Sequence, residues 1–258
     1  MRRVATIAWH TFKESVRERV LYNLVVFALL LIGAAILFGS ISVGIEHVII
    51  INLGLSSISV FGLLMAIFIG IGLVWKEIDR RTIFSLLAKP VRRYELIIGK
   101  YLGLMLTLLI NTSIMTAGFY AALAYEKRTL EVADLVALQA VYFILLQLGM
   151  VVALALLFSC VSTPILSAVF TFSLYIIGNL LSDIRWFGQE TGSALVMNFT
   201  AVVYYLLPNF SNFNVISQIA HGQAVPSYLL VSNSLYALLY ITILLAAAVL
   251  IFEEREFR

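Results

Sequence analysis

The chain alternates between long runs without charge and short polar segments, and that alternation predicts its elements. Charge-free stretches fall at 20–45, 48–75, 101–125 and 226–252, with a much longer apolar stretch beginning at 135. A bilayer core of about 30 Å needs roughly 20 helical residues, so each stretch is long enough to cross once. The one beginning at 135 is too long for a single span. Ser162, Thr163 and Pro164 break it, because Ser or Thr suits an N-cap and proline suits the first helical position. Six transmembrane helices are therefore expected, at about 20–39, 52–75, 97–124, 134–158, 164–182 and 230–252.

The polar segments add three features. In residues 1–19, apolar positions Val4, Ile7, Ala8, Thr11, Phe12, Ser15 and Val16 recur every three or four residues among Arg2, Arg3, Lys13, Arg17 and Arg19. That spacing predicts an amphipathic helix lying along the membrane surface. The apolar run that follows is too long for the core of a cleaved signal peptide and reads as a retained anchor. Between spans five and six, residues 183–228 form one long loop. Its apolar run at 194–207 is too short to cross and is expected to be interfacial or re-entrant. Trp186, Phe187, Tyr204 and Tyr205 suit an interfacial aromatic belt.

The third feature is the segment 75–101. Lys76, Glu77, Asp79, Arg80 and Arg81 precede Thr82; Lys89, Arg92, Arg93, Glu95 and Lys100 follow it. Between these groups lie Ile83, Phe84, Leu86, Leu87 and Ala88. Ile83 with Leu87, and Phe84 with Ala88, are four apart and share one helix side. Pro90 ends that helix. A short apolar helix rimmed by charge, held between two spans, reads as a docking surface.

Composition supports a membrane domain. The 258 residues are 62% hydrophobic and 12% charged, against about 45–50% and about 25% in soluble proteins. The fold class expected is an all-α membrane protein: six spans, an N-terminal amphipathic helix and a short cytoplasmic coupling helix, in a single domain over 1–258. The net charge of +3 and isoelectric point near 9.0 do not imply nucleic acid, because the bases flank the spans. With the N-terminus inside, 14 of the 17 Lys and Arg residues are cytoplasmic and 3 (Lys127, Arg128 and Arg185) lie outside. This is a strong positive-inside bias.

From Glu77 to Lys100 the chain reads E-x-D-x-x-T-x-x-x-L-L-x-K-P-V-x-R-x-E-x-x-x-G-K. This segment resembles the one between the first span pairs of ABC-2 type permeases, the membrane halves of ATP-binding-cassette transporters. Arg81 stands where that family often has glycine. LPNFSNFN at 207–214 is similar to a segment before the last helix of several such permeases. The resemblance implies a permease subunit forming the membrane pathway, coupled to a separate cytoplasmic ABC ATPase that holds ATP and Mg. It also implies a second permease copy or paralogue, surrounding lipid, a bacterial inner membrane, both termini in the cytoplasm, and export. The ATPase-coupling residues would be Glu77, Asp79, Arg80, Thr82, Ile83, Phe84, Leu86, Leu87, Pro90, Arg92, Arg93, Glu95 and Lys100, in the segment 76–95 and its flank. The alternative is a non-transporting membrane subunit that uses the ATPase to act on an extracytoplasmic partner through 183–228.

Other chemistry is sparse. No phosphate-binding G-x-x-x-x-G-K-[ST] occurs, so no ATP hydrolysis is expected of this chain. No charge lies mid-span, which weighs against a proton-driven carrier. His10, His47 and His221 fall near span ends or in loops and read as interfacial residues. Met65, Met105, Met115, Met150 and Met197 read as flexible core filler before soft-metal ligands, and the lone Cys160 cannot form an internal disulfide. No metal and no cofactor is expected in this chain. Asn111, Ser113, Thr116, Gln147 and Asn179 are the polar residues that either line a path or hold helices together, with Gln139 and Ser173 of the same kind.

Overall fold

A computed structural model describes residues 2–42, 44–79, 92–128, 132–191 and 193–254, without the side chains of 2, 73–79, 132, 133, 253 and 254. Every regular element among them is helical. The α-helices are α1 (Arg2–Val16), α2 (Arg19–Ile41), α3 (Glu46–Asp79), α4 (Arg93–Lys127), α5 (Ala137–Val161), α6 (Pro164–Glu190), α7 (Ala194–Leu206), α8 (Ile216–Ala220) and α9 (Ser227–Glu254). Short 3₁₀ turns sit at Val132–Val136 and Ser211–Phe213. The apolar coupling helix expected around 82–88 lies outside the described residues.

Six helices are long and apolar enough to cross a membrane: α2, α3, α4, α5 with its preceding turn, α6 and α9. The expected spans all form, and most are longer than hydropathy alone indicates. α3 begins at Glu46, six residues ahead of the expected start, with that acid in the first turn, where it complements the helix dipole. α6 begins where proline placed it: Thr163 has extended backbone (φ −70°, ψ 160°) and Pro164 opens the helix. The Thr163 hydroxyl makes no cap bond; Ser162 Oγ and Ser167 Oγ pair across the break instead, at 2.8 Å. At its other end α6 runs to Glu190 rather than stopping near 182. Loss of hydrophobicity does not end a helix; a breaker does, and Asp183, Arg185 and Glu190 simply ride on its projecting turns.

α5 is the central column. Its apolar window is 72% buried, against 22% for α6 and α9. α3 packs along α5 and α4, α2 along α3 and α4, and α9 along α5. Outward faces, such as Phe27, Leu31 and Phe38 on α2 and Ile165, Val169 and Phe172 on α6, are apolar and exposed. Lipid is the solvent that suits them, since a helix satisfies the backbone groups along its length within itself.

Two contacts fix the parity of the crossings. α1 lies against the start of α4, at Gly99 and Gly103. The far end of α9 meets the same place, where Arg93 Nη1 donates to the Phe252 carbonyl at 2.9 Å. Both ends of the described chain therefore meet the start of α4, and we term this the basic end after Lys13, Arg17, Arg19, Arg92 and Arg93. An even number of crossings follows. α7 and the segment Ser211–Ala220, bent from it by 60°, would pass as a seventh span by composition. Parity makes them a hairpin that enters and leaves at the opposite, far end.

Candidate functional site

At the basic end, the part of the docking motif that can be described has structural tasks. Arg92 is the N-cap residue of α4 (φ −73°, ψ 143°), and its backbone N–H donates to Glu95 Oε2 at 3.0 Å. An acid at the third helical position satisfies an otherwise orphaned donor and complements the helix dipole. Glu95 is thus a capping residue. Arg93 Nη1 donates to the Phe252 carbonyl, one of the last acceptors of α9. Lys100 is buried, at 4% exposure. A Cβ on Gly99 would lie 2.7 Å from Ile7 Cγ2, and one on Gly103 2.7 Å from Thr11 Cβ. These small residues therefore admit the inner face of α1, where Thr11 and Ser15 are buried. The side chains of Glu77 and Asp79, and all of Arg80, Thr82, Ile83, Phe84, Leu86, Leu87 and Pro90, lie outside what is described.

The far half contains a polar cavity of about 350 Å³. Asn52, Ser56 and Ser59 line it from α3, Gln147 from α5, Tyr175 and Asn179 from α6. Gln147 is ten residues into its helix, so at 1.5 Å per residue the cavity reaches about 15 Å inward, roughly half the bilayer core. None of its described lining residues is charged. Tyr175 is the hub: Gln147 Nε2 lies 3.1 Å from its hydroxyl, and Ser59 and Asn179 also approach it. Asn179 Nδ2 donates to the Tyr175 carbonyl at 2.9 Å, and Asn52 Nδ2 to the Val48 carbonyl at 3.1 Å.

The hairpin supplies the remaining wall, with Phe213, Asn214 and Ser217. Its stretch LPNFSNFN carries Pro, Ser and three Asn residues, yet Phe210 and Phe213 are fully buried. Bonds to α6 and α9 hold it there, among them Asn233 Nδ2 donating to the Asn212 carbonyl at 2.8 Å, and a local bond shapes its turn. Phe210 N–H donates to the Gly178 carbonyl at 3.0 Å, Asn209 N–H donates to the Tyr236 hydroxyl at 2.8 Å, and Asn209 Oδ1 accepts from Ser211 N–H at 3.1 Å. At the hairpin mouth, the Arg185 guanidinium sits 4.4 Å from the Tyr204 ring and 5.2 Å from that of Tyr205. Cation–π contacts of this kind join α6 to α7.

Of the five polar residues singled out in the sequence, the structure brings Gln147 and Asn179 into this cavity. Asn111 is half-buried on α4, away from it. Ser113 and Thr116 donate to carbonyls one turn back, at 2.7 Å each, which is local helix bonding. Gln139 Oε1 accepts from Val225 N–H at 2.8 Å and pins the approach to α9. Asn52, Ser56, Ser59 and Tyr175 were not singled out; the recurrence of polar residues through α3 was the available signal. Met65, Met115 and Met150 are buried in the core, and no group of three metal-binding His, Cys, Asp or Glu side chains occurs among the described residues.

His47 is more than an interfacial residue. Its Nδ1 lies 3.6 Å from Glu126 Oε2 and its Nε2 lies 3.8 Å from Asp134 Oδ1, which Lys127 Nζ holds at 2.7 Å. This cluster brings the start of α3 beside the end of α4 and the turn before α5, with the Lys127–Asp134 ion pair as its short contact.

No curated protein matches the chain. A family model described as ABC-2 family transporter protein matches residues 5–257, from within α1 to beyond the end of α9. That range takes in all six candidate spans, the hairpin and the segment 75–101, so the chain belongs to the ABC-2 transporter family.

Proposed function

We propose that this chain is the membrane pathway subunit of an exporter, driven by a separate cytoplasmic ATPase that docks on 76–95 and assembled with a second permease subunit. The basic end faces the cytoplasm in this reading, as the distribution of Lys and Arg favours. The carrying observation is the family match over residues 5–257. The geometry supports a route for coupling. The docking segment joins α3 to α4, and the start of α4 is bonded to the end of α9 through Arg93 and packed on α1 through Gly99 and Gly103. A partner that binds one arrangement of these helices more tightly shifts the whole set towards it. Movement of α3 and α5, which both line the far cavity, would then change access to that cavity. Export is the direction taken here because the family resemblance carries it.

The test is purification of the tagged chain from its host membranes in mild detergent. An ATPase subunit bearing a phosphate loop should accompany it, and all ATP hydrolysis should vanish when that loop's lysine is replaced. Recovery of this chain alone, or hydrolysis that maps to a residue of this chain, would overturn the reading.

A further inference from the structure

Another cavity, of about 340 Å³, lies at the far end, between the end of α2, the start of α3 and the end of α4. It shares no described lining residue with the cavity around Tyr175. Ile36 and Ile50 give it apolar wall, and Glu46, Glu126 and Arg128 bring charges of both signs to its lining. Among the described residues no ion pair joins Arg128 to either acid. Glu46 and Arg128 are exposed, and Glu126 Oε2 is buried without a hydrogen-bond partner, with His47 Nδ1 3.6 Å away. Opposite charges that line one space without pairing suit a ligand that carries both. A simple anion would meet two carboxylates there, and a simple cation would meet the guanidinium.

Position narrows the class of zwitterion. Beside the cavity, the last turns of α2 expose Leu37, Phe38 and Ile41, which suit lipid. A molecule lodged here keeps its polar part at the membrane surface and its apolar part against the spans, as a phospholipid does. A guanidinium grips a phosphate through two parallel N–H bonds. A primary ammonium donates N–H bonds to carboxylates, whereas the quaternary nitrogen of choline has no N–H to give. We propose that this cavity binds the headgroup of an ethanolamine phospholipid, with its phosphate on Arg128 and its ammonium on Glu46 and Glu126. The inference goes beyond the permease reading, because it concerns lipid held at the rim of the spans and not the molecule transported.

The test places the full chain in phosphatidylcholine nanodiscs with a trace of one photoactivatable phospholipid. Its headgroup is ethanolamine, choline or glycerol, and its diazirine sits on an acyl carbon near the headgroup. Labelled residues are mapped by peptide mass spectrometry. The ethanolamine lipid should label 36–41 and 46–50 severalfold more than the other two, and unlabelled phosphatidylethanolamine should displace it. On the outward face of α6, at 165–172, the three lipids should label alike. Glu46→Gln should lower the preference for ethanolamine over choline by about two- to fivefold, the effect of one exposed ion pair. Arg128→Gln should instead weaken ethanolamine and choline labelling together, because both lipids carry the phosphate. Ser113→Ala, which does not line the cavity, should change nothing, and unfolding midpoints confirm that each variant is folded. The proposal is overturned if either other lipid labels the cavity as well as the ethanolamine lipid does. It is equally overturned if folded Glu46→Gln and Arg128→Gln both label as the unaltered chain does.

Discussion

Arg93 shows how a motif residue can differ in role from its neighbours. Its charge suits a docking rim, yet its guanidinium donates to the carbonyl of Phe252, 159 positions away. A charge-assisted bond of this kind contributes about 1.5–3 kcal/mol when well formed, and less at a half-buried site. Arg93→Ala should therefore lower stability by about 1–2 kcal/mol and loosen the end of α9. Arg93→Lys should recover part of the loss, because an ammonium still donates but lacks the planar fork. Unfolding midpoints of the three proteins in detergent, with ATP hydrolysis of the assembled complex, check this. Equal midpoints for Arg93→Ala and the unaltered chain would show that the contact contributes nothing. No sequence pattern pairs Arg93 with Phe252, whereas the capping role of Glu95 was within reach, since acids are favoured in the first turn of a helix.

The helices themselves were legible because apolar length and breakers are local properties. The sequence set the six spans, the break at Ser162–Pro164 and the short run at 194–207. It missed what depends on distant partners. LPNFSNFN contains turn formers, and nothing in its order says that Phe210 and Phe213 enter the core and that Gly178 accepts the Phe210 N–H bond. The cavity was half visible for the same reason: single polar residues on α3, α5 and α6 converge only after packing. α1 offers a direct test at this scale. Gly103→Leu would drive a side chain into Thr11 and lift α1 from α4. Limited trypsin digestion should then cut at Lys13 and Arg17 markedly faster than in the unaltered chain. Gly33→Leu, where a Cβ meets nothing within 4 Å, is the control and should digest normally. Unchanged cleavage in Gly103→Leu would mean that α1 is held by other contacts.

Across the whole molecule, the meeting of both chain ends with the start of α4 makes the number of crossings even, and the charge distribution orients them. Single cysteines at Ser85 and Ser193, in a Cys160→Ala background, separate the two sides. An impermeant thiol reagent added to intact cells should label position 193 and spare position 85; the reverse pattern would invert the topology. The central claim is that an ATPase grips the segment between α3 and α4. Its most direct measurement is co-purification of that ATPase with four versions of the chain from one membrane preparation. Phe84, the largest apolar group on the predicted docking face, is the proposed anchor, and loss of a buried anchor costs about 2 kcal/mol or more. Phe84→Ala should therefore weaken association by roughly 30-fold or more. Leu87→Asp should be worse, because it buries a charge without a partner, and Arg92→Ala should cost less than Phe84→Ala. If Phe84→Ala and Leu87→Asp both retain the ATPase and its activity in full, the segment is not the docking site and the account of an ATP-driven permease is contradicted at its base.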